Sequence, residues 1–486
     1  MATSFEKIKR SKALDIIKNV ISSKFLPFAT AAVFLACYYL GWDIVAVYYL
    51  GIVTVLILLL LEDISPVISQ LLFLNFFVSL KSVSISSADG YAYYSQTAIL
   101  VQMIVIAALV IAALLYRLIL SCVKRKFHFT PVFFGICTLC VAFLLNGLGS
   151  EYSTPNNLLF GFVMSALILG FFAAVKDNIV TDKKFYEKIA YGFMALSILL
   201  IIELIVAYAT YDNLFASGTI NRYELFFGWG GYNHYGLWIV MCLPSALYLA
   251  GIKKHGYLFT AYSFIIFAAS MLCCSRQAMI VAAIIYPVCL IILLVKGKYR
   301  IPNLCITAVA VAIGIILICI FREKFVAAVK AVFENVFVNG ELNGSGRWNL
   351  WKEAMHYFED YPLFGAGFYI DYSYAMNAVF LPATCHNTIL EIMATCGIVG
   401  LAAYLLHRVQ TVICFFKNVT IERTLIALTT LVVILMSLLD MHIFNIFPTI
   451  IYACLIAALV KSQEKATVTD PATVLKNKLA AGAVNK

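Results

Sequence analysis

Arg276, Arg347 and His386 are the residues of this chain whose type and placement best suit chemistry on a phosphate-bearing substrate. Each lies in a short polar stretch between long apolar runs. A guanidinium stays protonated and holds phosphate oxygens in a bidentate fork, which suits it to a phosphate pocket. An imidazole changes protonation near neutral pH and can take a proton from an attacking hydroxyl. Each has a plainer alternative. Arg276, in CCSRQAM, could be a boundary arginine snorkelling to the interface, although a cation there is costly unless it meets water, a carboxylate or a phosphate. Arg347 could pair on the surface with Glu341 or Glu353, and His386 could be structural. No metal-ligand spacing of the H-E-x-x-H kind accompanies these residues.

The stretch from Gly346 to Gly400 must position two of the three. Ser345 is a possible cap for a helix in which Trp348, Trp351, Met355 and Phe358 recur at spacings of three and four, predicting one apolar face. Arg347 falls in its first turn, where free N–H groups also favour a bound anion. Tyr361-Pro362 ends the helix, and Gly365 and Gly367 allow a tight turn or a close approach to a ligand. HNTILEIMATCGIVG then leads into another apolar helix, with Thr388 and Glu391 in a capping-box spacing and His386 just outside it.

The rest of the chain is bilayer-compatible. At 63% hydrophobic, 12% charged and a mean hydropathy of +0.94, 486 residues cannot make one soluble domain. Fourteen spans are predicted, at 25–42, 44–61, 64–80, 98–120, 131–149, 158–177, 191–209, 236–252, 257–275, 278–296, 304–321, 387–406, 424–439 and 445–461. The chain thus divides into a basic interfacial segment (1–24), eleven spans (25–321), a large loop (322–386), three spans (387–461) and a polar, poorly ordered tail (462–486). Residues 1–24 lack a cleavage site after a short apolar core and read as interfacial, not as a signal peptide. With the N-terminus inside, roughly 27 of the 35 Lys and Arg are cytoplasmic. The net charge of +10 is therefore topological, and no nucleic-acid partner is expected. Most of the 14 cysteines sit in apolar runs as small hydrophobes, and Cys137-x-x-Cys140 lacks the second pair a metal site needs.

GRWNLWKEAMHYFEDYPLFGAGF and HNTILEIMATCGIVG, with a variable segment between and closing spans after, resemble the O-antigen ligase and polymerase superfamily of bacterial envelope glycosyltransferases. The resemblance implies an all-α integral membrane protein with a C-type glycosyltransferase-like fold and a large extracytoplasmic catalytic loop. It implies a polyprenyl-pyrophosphate-linked oligosaccharide donor, undecaprenyl pyrophosphate being the usual carrier, with no cofactor: neither nucleotide sugar nor metal. It implies the bacterial cytoplasmic membrane, with the site facing outside. It also points to Arg222, in NRYELFFGWGGYNHYG, although this chain has WGGYNH where the family commonly has Asn-Pro-Asn; an aromatic interfacial loop is the alternative. On this reading Arg276, Arg347 and His386 are catalytic. Arg222, Arg276, Arg347, Asn387 and Trp348 bind pyrophosphate or glycan, Asn233 and His234 follow behind them, and Tyr369, Tyr372 and Tyr374 could stack on sugars.

The implied reaction is an inverting displacement at the anomeric carbon by an acceptor hydroxyl. Polymerisation of lipid-linked repeat units is favoured over ligation to a lipid core, a wall polymer or a protein. A lipid-linked glycan flippase and a noncatalytic scaffold are the readings from other classes, but no paired halves or internal repeat support a transporter. Glu203, inside an apolar run, is divided between function and a helix-to-helix hydrogen bond, Glu391 is assigned to capping, and Asp440 to an outer turn.

Overall fold

The computed structural model describes residues 12–74, 97–123, 129–210, 231–323, 347–373, 382–417 and 419–469, with isolated residues between 326 and 342. Arg222, Ser345 and Tyr374 lie outside these.

The described chain is helical throughout, apart from a two-residue antiparallel pair, Phe337–Val338 with Glu341–Leu342. Among the described residues, eight helices are long and apolar enough to cross a bilayer, and nine if one bent pair counts as a span. Shorter apolar helices at Ile44–Leu60, Pro131–Leu144 and Gly256–Leu272 add to the bundle. Helices are the expected solution because lipid offers no partner for an unpaired backbone N–H or C=O. The chain is a polytopic α-helical membrane protein.

The first elements are α1 (Lys12–Ile21), α2 (Leu26–Leu40), α3 (Asp43–Leu60) and α4 (Pro66–Leu71). Of the span expected at 64–80, the described part holds only α4, six residues or about 9 Å of helix, starting at Pro66 and buried along its length. The next four helices are α5 (Thr97–Val123), α6 (Pro131–Leu144), α7 (Pro155–Asn178) and α8 (Lys183–Thr210). The span expected at 236–252 is two helices, α9 (Tyr232–Met241) and α10 (Leu243–Ile252), because Pro244 cannot continue the hydrogen-bond ladder. After α11 (Gly256–Leu272), α12 (Arg276–Lys296) and α13 (Arg300–Ile320) come α14 (Arg347–Asp360), α15 (Thr388–Phe416), α16 (Ile421–Ser437) and α17 (Ile446–Thr469).

α15 packs on α6 and carries α14 on its N-terminal half, and α17 packs on α7. Its helix runs past Lys461, so the segment expected as a loose tail begins helical. Glu464 there meets Lys461 at 3.2 Å and the buried Lys176 at 3.5 Å.

α14 buries Leu350 and Ala354, with Trp351 and Tyr357 alongside, while Trp348 is exposed. The expected face through Trp348, Met355 and Phe358 is thus rotated. Its partner is the short loop Pro362–Tyr372 and the start of α15, and Trp351 and Tyr357 also hydrogen-bond, to Cys385 O and Asp371 O.

Candidate active site

The loop after α14 is pinned to a break in α15. Gly397 has φ +63°, which interrupts the helix and frees carbonyls upstream. The loop supplies the missing donors: Ala366 N–H to Ala394 O at 2.7 Å and Gly367 N–H to Thr395 O at 3.1 Å. In return Ile398 N–H donates to Pro362 O at 2.8 Å. Gly365 and Gly367 both have positive φ, as the turn requires, but their close approach is to protein: a Cβ on Gly365 would lie 2.3 Å from the Thr395 carbonyl carbon. Beyond them Phe368 N–H and Tyr369 N–H donate to the side chains of Asn146 and Asn157. The Phe368 ring packs among Phe143, Phe160 and Phe444 at centroid distances of 5.6, 5.0 and 5.7 Å.

His386 is held from both sides. Trp351 Nε1 donates to Cys385 O at 3.0 Å, and Glu391 accepts from Cys385 N–H at 2.8 Å and from the Tyr372 hydroxyl at 3.2 Å. The N-cap of α15 is Asn387, not Thr388: its Oδ1 accepts from Ile389 and Leu390 N–H. Glu391 reaches back past that cap, so the expected capping pair is displaced by one residue. The Asn387 oxygen is taken by the cap, and Tyr372 is buried against Glu391, which leaves it no face for a sugar. Tyr369 is half-buried with its ring edge-on to Phe160 at 6.2 Å.

The groups converge on the turn Leu439–His442, between α16 and α17. His386 Nδ1 meets Asp440 Oδ1 at 2.9 Å, and Met441 N–H donates to the same oxygen. Asp440 Oδ2 accepts from Asn233 and Gln277, each at 3.3 Å. Leu439 O accepts from Arg347 at 2.7 Å and from Gln277 at 2.9 Å. Ser275 Oγ donates to Asn233 Oδ1 at 2.9 Å and also caps α12, so Arg276 stands between two residues that belong to this network. Five chain segments, at 233, 275–277, 347, 386 and 439–442, meet here.

Among the described residues, only Cys274 and His386 are non-glycine residues with positive φ, both +58°. Each immediately precedes or forms part of this network. Left-handed backbone costs roughly 1–3 kcal/mol per residue and persists where the surroundings impose it.

The charges are graded. Burial would raise the Asp440 carboxyl, but the hydrogen bond with His386, with the nearby His442, holds it well below its ordinary range. The side chain of Asp440 is 13% exposed and that of His386 is 40% exposed, so the pair has a buried acid and a wet base. Burial lowers His442 to about 4, only partly opposed by Asp440. A neutral His442 in the fold against an ordinary value of 6.5 means that the unfolded chain binds more protons between those limits. Stability is therefore expected to fall as pH drops from 6.5 toward 4, by up to about 3 kcal/mol, and to stop falling on this account below. Asp440, whose value is depressed, adds a fall of the same sign only at the acid end of that window, below about pH 5, where the unfolded carboxyl begins to bind protons. Unfolding followed against pH should show the slope in the native protein and a flatter profile in His442→Gln.

Asp440 lies at a turn, as expected from sequence, but its part in the site was not anticipated, and His442 was not singled out. One carboxylate and one imidazole beside an apolar run read as an ordinary helix turn, and only LLDMH itself, two polar side chains in a stretch otherwise like lipid, was available as a signal. His234 does join the site, its ring edge-on to that of His442 at 5.5 Å. Trp348 lies at the rim, its ring 4.9 Å from that of Trp351. Glu203 is buried in α8 within electrostatic range of Tyr39 and Tyr235. His407 is fully buried and meets the Tyr452 hydroxyl at 2.6 Å. Cys140 is buried, with its Sγ 3.7 Å from Ser165 O. Among the described residues no group of three or more His, Cys, Asp or Glu is placed to hold a metal ion.

A helical bundle with arginines and a His–Asp pair gathered at one end defines a polytopic membrane protein with a polar cluster at that end. The family model of the O-antigen ligases matches residues 261–405, which contain Arg276, Arg347 and His386, and supports a relationship to the O-antigen ligase/polymerase superfamily. The hub residues Asn233, Asp440 and His442 fall outside the matched stretch. No curated protein matches the chain. The match supports, in general terms, a glycosyltransferase-like membrane enzyme acting on a lipid-linked glycan.

Proposed function

We propose that this protein polymerises surface-polysaccharide repeat units, transferring a growing glycan from a polyprenyl pyrophosphate to a hydroxyl of another lipid-linked unit. The observation that carries the reading is the His386–Asp440 pair on the same turn that Arg347 grips. Asp440 accepting from Nδ1–H leaves Nε2 as the basic nitrogen, on a side chain that water and substrate can reach.

In the proposed step the acceptor hydroxyl attacks the anomeric carbon and gives its proton to His386 Nε2. The glycosidic C–O bond breaks, and its electron pair leaves on the pyrophosphate, with inversion. Arg347 and Arg276 meet the developing charge, with Arg222 as a third partner. Of the five N–H donors of Arg347, one bond is used on Leu439 O, which aims the guanidinium without consuming it. Trp348 at the rim flanks the glycan, and Asn387 serves by holding the start of α15 under His386. No step needs a metal or a nucleotide. The loop 322–386 is read as the catalytic segment between the two groups of spans. The basic residues Lys183, Lys184, Lys188, Lys253 and Lys254 lie at the opposite helix ends, and by the positive-inside bias this distribution supports a site facing outward from the cytoplasmic membrane.

The test is product analysis in liposomes with a short lipid-pyrophosphate oligosaccharide, given alone and then with candidate acceptors. A ladder of lengths from the donor alone is expected, and Arg347→Ala should slow it roughly 10²–10³-fold. Arg347→Lys should recover only part, because an ammonium cannot form the fork. A single transfer seen only with a second acceptor would make the protein a ligase, and translocation without a new glycosidic bond would remove the enzyme reading.

A further inference from the structure

One side chain joins the two arms of the candidate active site. Gln277 lies in the first turn of α12, directly after the Ser275 cap and Arg276, on a helix that packs against both α9 and α16. It is 3% exposed, and its Nε2 donates to Leu439 O at 2.9 Å and to Asp440 Oδ2 at 3.3 Å. Leu439 O is the atom that Arg347 grips, and Asp440 is the partner of His386. Among the described residues no other side chain bonds both acceptors: Arg347 reaches Leu439 O alone, and Asn233 reaches Asp440 alone.

The chemistry of a primary amide suits this place. Both partners are acceptors, so the NH₂ must face them, and it has two hydrogens to divide between two acceptors. It also adds no charge. A lysine here would compete with a His386 imidazolium for Asp440, and a carboxylate would repel Asp440. The amide oxygen contributes nothing comparable, since Gln277 Oε1 is buried with no hydrogen-bond partner among the described residues. An apolar side chain of the same size would avoid that cost, so the two Nε2 bonds are what a glutamine supplies here.

We infer that Gln277 is a positioning residue that couples the two arms, fixing the Leu439–Asp440 turn so that Arg347 is aimed at the donor pyrophosphate while His386 is aimed at the acceptor hydroxyl. The inference rests on the reaction proposed above. Arg347 cannot fix Leu439 O by itself, because the same guanidinium is to engage the substrate. Gln277 comes from a different helix and touches no substrate in this scheme, so it holds the carbonyl in place when Arg347 takes up its ligand. The same amide steadies the Asp440 oxygen that does not face His386, leaving Oδ1 for the imidazole.

The test is a pair of double-mutant cycles on the full chain in liposomes, read as turnover and donor KM for any new glycosidic bond, whether in a ladder or in a single transfer. Gln277→Met, similar in size and without donors, should lower turnover about 10- to 100-fold for the lost bond to a charged group and raise donor KM about 2- to 10-fold for the lost neutral bond. Asn233→Leu, which touches Asp440 alone, should lower turnover and leave donor KM unchanged. In an Arg347→Ala background the KM effect of Gln277→Met should vanish, and in an Asp440→Asn background its turnover effect should largely disappear, where a merely structural role would leave both effects additive. Gln277→Glu has at most one proton for two acceptors, so it should impair both arms, and it carries the test if Gln277→Met does not fold. Effects that multiply independently in both cycles, or a Gln277 variant that behaves like Asn233→Leu, overturn the coupling and leave the enzyme reading intact. A native protein that forms no glycosidic bond overturns the enzyme reading and this inference with it.

Discussion

Asp440→Asn is expected to lower turnover roughly 10²–10⁴-fold while leaving the protein folded, the range set by losing the orienting acid of a His–Asp pair. The substitution is isosteric, and the amide oxygen can still accept from Asn233, Gln277 or Met441. It cannot present acceptors on both sides. If its NH₂ faces His386 Nδ1, that nitrogen must accept, and the proton moves to Nε2, the atom proposed to act as base. If its oxygen faces His386, the NH₂ points at Asn233 and Gln277, whose donors lose their partner. Either way the charge that stabilises an imidazolium is gone. Donor affinity should change little, because Arg347 is held by the Leu439 carbonyl and not by the carboxylate. Steady-state turnover and donor KM in liposomes, with size exclusion as a check on folding, measure this. Near-normal turnover would exclude the pair from proton transfer and leave His386 as a positioning residue.

Gly365→Ala is expected to destabilise the protein by about 3 kcal/mol or more and to release the loop, from a combination of positive φ and a clash that cannot relax. The added methyl would meet the Thr395 carbonyl carbon at 2.3 Å and Cys396 N at 2.4 Å, and both are backbone atoms of α15. Relieving the contact means moving the loop away from the helix break. The Ala366–Ala394 and Gly367–Thr395 bonds would then fail together, exposing carbonyls in an apolar setting. Gly314→Ala is the matched control: nothing lies within 4 Å of its added Cβ, so it should be neutral or slightly stabilising. Thermal unfolding in detergent and proteolysis between Tyr361 and Ser373 report the two effects. A Gly365→Ala protein as stable and as protected as Gly314→Ala would show that the loop does not depend on this interlock.

Much of the fold was legible because hydropathy has long range along the chain and little ambiguity. Runs such as those at 98–120 and 278–296 emerge as helices within a few residues of their expected ends. Boundaries failed where backbone chemistry decided them. Pro244 divides one expected span, the Asn387 oxygen captures the cap assigned to Thr388, and α17 continues because Glu464 finds a lysine from α7. The face of α14 was misjudged for a related reason. Large aromatics at spacings of three and four look like a core stripe, but α14 packs on the glycine-punctuated loop and the start of α15 through Leu350 and Ala354, with Trp351 and Tyr357 beside them and Trp348 outside.

The sequence by itself determined that this is a polytopic membrane protein with arginines and a histidine on a polar segment, since the cost of burying charge in lipid singles such residues out wherever they fold. Only the tertiary structure decided which of them act together. His386 and Asp440 are 54 positions apart, and Asn233 and Asp440 are 207 apart. No local pattern relates residues at such separations. Their meeting depends on how α9, α12, α14 and α15 end around one turn, and that is set by helix packing and by the loop docked at Gly397.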